Sequence, residues 1–132
     1  MTKKGELMVP ISVGELVDKM TILQIKFEMI SDLQKKENIA KELEVNKQVF
    51  ERAVLPSDEM NRLVEEMKKV NLEIWHISDR IHECERKNVV SEEDIHFYRL
   101  VHNKNDDRFR IKKQINALSD SALVEEKSYV GL

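Results

Sequence analysis

At 132 residues the chain is long enough for one domain with its own core, and it is read as a single domain over 1–132. A net charge of −3 carries no electrostatic preference for nucleic acid or an anionic membrane, and no apolar run is long enough to span one. A single cysteine excludes an internal disulfide and fits a reducing, cytoplasmic setting, while only 3 Gly and 2 Pro suit long helices with few turns.

Residues 1 to 10 form a short lead. Leu7, Val9 and Ile11 alternate with Met8 and Pro10, a pattern that predicts an extended segment lying against the bundle. The first helix starts after Ser12. S-V-G-E reads as a capping box between Ser12 and Glu15, with Ile11 and Leu16 as a hydrophobic staple. From there to Ile30 the helix carries two apolar faces, Leu16, Val17, Met20, Leu23, Phe27 and Ile30 on one and Ile22, Ile25 and Met29 on the other. A helix apolar on two sides is central or sits at a subunit interface, which predicts a homodimer that buries part of it. Asp18 lies within the second face, where a carboxylate needs a partner.

Ser31 and Asp32 make a polar break. The second helix starts between Gln34 and Asn38 and ends near Val54, before Pro56. Ile39, Leu43, Phe50 and Val54 form its stripe, interrupted by Asn46. Ser57 caps a long third helix that reaches about Arg86, with Asp58 and Glu59 in its first turn. Its four-three series is Leu63, Met67, Val70, Ile74, Ile77, Ile81 and Cys84, and Asn71 falls inside that apolar face. Asn88 closes the helix. Ser91 caps the fourth, which runs to about Leu118 through Phe97, Val101, Lys104, Arg108, Ile111, Ile115 and Leu118. Two cations thus occupy core positions, and Asn105 and Lys112 share the side of Arg108. A tail from Ala122 can dock through Leu123, Val124, Tyr129 and Val130. Short connections favour antiparallel neighbours, so the fold class is all-α: an antiparallel bundle of about four helices with an extended lead and a docked tail.

The candidate site is the polar cluster on apolar faces: Asp18, Asn71, Lys104, Asn105, Arg108 and Lys112. Unpaired buried charge is costly, so these residues pair with one another or face a ligand. Their excess of cations suits a small anion; in a catalytic version Arg108 and Lys112 stabilise negative charge, Asn71 or Asn105 orients, and Asp18 is the base. The competing reading is a structural Asp18–Arg108 ion pair. Glu73-x-x-His76 and Glu93-x-x-His96 have the spacing of di-iron bundle ligands, but both pairs fall on outer faces, so no metal and no cofactor are expected. Cys84 continues an apolar stripe and reads as a core residue.

ISVGELVDKMTILQIK, VNLEIW, N-D-D-R-F-R-I-K-K-Q-I-N and SALVEEKSY together resemble a bacterial domain family of unknown function, from Ile11 to Tyr129. The resemblance implies a small all-helical domain, sometimes found beside glycosyltransferase or surface-polysaccharide proteins, and carries no activity or substrate. Its matched positions include Asp18, Lys19, Thr21, Lys26, Asn71, Trp75, Asn105, Lys112, Asn116, Glu125, Glu126 and Lys127. The leading functional expectation is a non-catalytic domain that binds a protein partner or assembles as a homodimer. The alternative is binding or conversion of a small anionic metabolite inside the bundle.

Overall fold

A computed structural model describes residues 4–87, 89–120, 125–129 and 131–132. Four helices follow in order: α1 (Val13–Met29), α2 (Leu33–Ala53), α3 (Asp58–Glu85) and α4 (Glu92–Leu118). They pack on one another as an all-α bundle with no strand among the described residues.

Each helix start has a local cause. The side chains of Ser12, Asp32, Ser57 and Ser91 each accept a hydrogen bond from a backbone N–H three residues on, satisfying a donor that the helix leaves open. Asp32, read from the sequence as part of a break, is therefore the cap that starts α2 at Leu33. The reciprocal box forms at α4, where Asp94 also accepts from the backbone of Ser91. At α1 only the Ser12 half forms, because the Glu15 carboxylate reaches Lys112 instead.

α1 is the hub, packed on α2, α3 and α4. The ion pair Lys19–Glu42 and the Lys36 ammonium over the Phe27 ring mark the side taken by α2. Ile25, from the second apolar face, is 1% exposed in the single chain. Of that face the chain itself buries Ile25, leaves Ile22 half-buried and leaves Met29 42% exposed. Where α1 crosses α4 the backbones nearly touch. A Cβ at Gly14 would stand 2.7 Å from the carbonyl oxygen of Lys112, so only glycine fits that approach.

Val17, Val54, Met60, Leu63, Met67, Val70 and Ile115 form one buried cluster, with Phe50 of α2 packed against it. α2 otherwise rests on α1 alone and has no buried residue. In α4, Phe109 is 1% exposed although it lies outside the expected series, and Leu118 within that series is 40% exposed. α4 touches both α1 and α3, so its buried arc is wider than a single stripe.

Two expectations need correction. The lead does not lie against the bundle: Leu7, Met8 and Val9 are 90%, 79% and 70% exposed. Tyr129 of the tail is also exposed; the tail docks through its charges, with Lys113 bonded to the Leu132 oxygen at 2.9 Å and Lys112 to Glu125. Asn88, Ala122, Leu123, Val124 and Val130 lie outside the described residues.

A candidate polar site between the first, third and fourth helices

Asp18 is 1% exposed and sits where α1 meets α3 and α4. Arg108 of α4 donates Nε to Oδ1 at 2.9 Å and Nη2 to Oδ2 at 2.5 Å, a two-pronged grip. Asn71 of α3 donates Nδ2 to Asp18 Oδ1 at 2.9 Å and to Thr21 Oγ1 at 3.0 Å. The Thr21 hydroxyl in turn donates to the Asp18 carbonyl at 2.9 Å. Lys112 Nζ lies 3.2 Å from Asp18 Oδ2, 3.3 Å from Glu15 Oε2 and 2.8 Å from Glu125 Oε2. One turn further along α4, Asn116 Oδ1 accepts the Gly14 N–H at 2.7 Å, tying the start of α1 to the same wall.

Burial by itself would raise the Asp18 pKa. The Arg108 guanidinium, the Asn71 amide and the Lys112 ammonium outweigh that and hold it below the ordinary carboxylate value. Burial pulls Arg108 and Lys112 down, and their carboxylate partners reverse this and leave both raised. All three groups thus favour their charged forms. A carboxylate held this strongly ionised is a weak proton acceptor, so the arrangement suits fixed charge rather than base chemistry.

Beside this network opens a cavity of about 270 Å³, with Asn105, Arg108 and Lys112 on the α4 wall, Glu15 at its α1 edge, and Glu125 and Lys127 from the tail. The fold thus brings together Asp18, Asn71, Asn105, Arg108 and Lys112. Lys104 is elsewhere: it pairs with Glu73 in an open groove between α3 and α4. The acids Glu15 and Glu125 were not among the candidates, and they offset the expected cation excess. In sequence Glu15 has the position of a capping residue, and helical periodicity does not say where a non-helical tail lands.

A second buried polar contact joins the far ends of α3 and α4. The Cys84 thiol donates to Asp94 Oδ1 at 2.7 Å. That bond pushes the thiol pKa up and, with the Ser91 backbone N–H, brings Asp94 down to about 2. A thiol held protonated is a poor nucleophile. His76 and His96 are exposed, and no three His, Cys, Asp or Glu residues gather as a metal site among the described residues. No helix among them is long and apolar enough to cross a membrane.

A family model described as a family of unknown function (DUF6165) matches residues 7–131. No curated protein and no solved structure matches the chain.

Proposed function

The chain belongs to that family, and from its own geometry we propose that it is a non-catalytic interaction domain that pairs with a second copy of itself through α2 and the N-terminal lead. One observation carries this reading: α2 runs for 21 residues, packs on no helix but α1, and has no fully buried residue, its apolar stripe being only half-buried. Leu33, Val45 and Leu55 stand exposed along it and just beyond its end. Phe50 and Val54 join the same apolar cluster as Val13 and Val17, which draws the end of α2 toward the start of α1, where the exposed lead joins the bundle. Each large apolar side chain left in water forgoes roughly 1.5–3 kcal/mol of burial. A two-fold axis would set this surface against its own copy, and α2 alternates Lys and Glu, so no oppositely charged partner is called for. The free thiol of Cys84 suits the cytoplasmic setting expected from the sequence.

Light scattering across a concentration series tests the reading. The wild type is expected to be dimeric at micromolar concentration, and Val45→Glu with Leu55→Glu is expected to be monomeric with unchanged helicity. A wild type that remains monomeric at high micromolar concentration would reject the pairing.

A further inference from the structure

The cavity beside Lys112 is partly filled by a carboxylate from the tail. Lys112 Nζ has three carboxylates around it. Asp18 and Glu15 are carried on α1, whereas Glu125 comes from a tail segment with no helix or strand. The same cavity presents donors without an acceptor among the described residues. The Arg108 Nη1 nitrogen and the Asn105 amide make no hydrogen bond among the described residues, although both residues line the space. The Lys127 ammonium lies by the rings of Phe109 and Tyr129, at 5.2 and 5.9 Å.

The charge balance is specific. Arg108, Lys112 and Lys127 face Asp18, Glu15 and Glu125, three against three. Removing Glu125 leaves a deficit of one negative charge, which a singly charged anion restores. A doubly charged phosphate would overshoot and be opposed by Asp18 and Glu15. The group now on Lys112 is itself a carboxylate. The volume, about 270 Å³, lies just below the range of drug-sized ligand pockets and suits a smaller molecule.

We propose that this cavity binds a small singly charged carboxylate, and that Glu125 is its internal stand-in: the tail carboxylate occupies Lys112 when no ligand is bound and is exchanged for the ligand carboxylate, which Arg108 Nη1 and the Asn105 amide also hold. Binding and tail release are therefore linked, and the free tail is the readout of occupancy.

Nuclear magnetic resonance titration of the full chain with propionate, at ionic strength held constant with sodium chloride, tests this. Saturable shifts are expected for the amides of residues 105–113 and 125–129. A tail that fills the site nine-tenths of the time weakens apparent binding about tenfold, so Glu125→Gln is expected to bind propionate about tenfold more tightly. Glu125 is exposed and outside any helix, and the spectrum of the free variant reports whether the fold is intact. Asn105→Leu is expected to weaken binding in either background. Inorganic phosphate is the second arm, and binding as strong as propionate or stronger would overturn the assignment to a carboxylate. Equal affinity in the wild type and Glu125→Gln would overturn the exchange. Shifts that never saturate in either protein would overturn the site itself.

Discussion

Arg108 holds Asp18 from a position 90 residues later in the chain, through Nε at 2.9 Å and Nη2 at 2.5 Å, and the carboxylate it holds is almost wholly buried. A pair of this kind need not add net stability, because removing two charges from water costs several kcal/mol per ion. Breaking it is a different matter. Arg108→Leu is expected to cost about 3–5 kcal/mol in denaturant unfolding, since Asp18 stays buried with its main counter-charge gone. Asp18→Leu combined with Arg108→Leu is expected to recover part of that loss. Full recovery is not expected, because Lys112 and Asn71 also bond to Asp18 and would be left short of a partner. Equal losses in the single and double variants would show that the pair does not act as a unit.

Acid should unfold the protein through two carboxylates. Asp18 and Asp94 both have folded pKa values below the ordinary value of 3.8, Asp94 at about 2. The unfolded chain therefore binds these protons first. Their contribution to stability is complete above about pH 4, and is lost as pH falls through the folded values. Melting temperature is expected to be flat near neutral pH and to drop below about pH 4. Cys84→Ala removes the largest cause of the Asp94 shift, and is expected to shrink the drop between about pH 4 and pH 2. An acid limb identical in that variant would contradict the role given to the thiol.

The helices were legible because their ends carry chemistry: Ser12, Ser57 and Ser91 cap, and Pro56 separates α2 from α3. The centre of the site was legible for a different reason. Asp18, Asn71, Arg108 and Lys112 are polar residues inside apolar stripes, and the cost of burying them predicted that they would meet. Lys104 satisfied the same rule but faces Glu73, because four residues turn an α-helix about 40° past a full turn. That rotation separates the side of α4 facing α3 from the side facing α1. Glu125 and Lys127 were matched in the resemblance, yet no periodicity could say that they lie against α4. The exposed lead was misread because alternation marks an extended strand-like segment without saying whether anything covers it.

Gly14 tests the close crossing of α1 and α4. On helix propensity alone, Gly14→Ala would stabilise by about 1 kcal/mol. The added Cβ would meet a backbone carbonyl at 2.7 Å, which cannot rotate aside as a side chain could. Forcing the helices apart costs about 1–3 kcal/mol, and it also stretches the Gly14–Asn116 hydrogen bond. The expected net effect is destabilisation of about 1–2 kcal/mol, seen as a melting temperature lower by several degrees. A higher melting temperature would mean that the two backbones separate without strain.

Asn46 makes the opposite prediction. Its Nδ2 is buried without a hydrogen-bond partner, the one such side-chain atom among the described residues. It interrupts the stripe of Ile39, Leu43 and Phe50 that α2 turns toward α1. Leaving a buried donor unpaired costs about 1–3 kcal/mol, and leucine is also the better helix former. Asn46→Leu is therefore expected to stabilise the chain by about 1 kcal/mol or more, read as a higher denaturant midpoint with an unchanged slope. An unchanged or lower midpoint would show that the Asn46 amide finds an acceptor in solution.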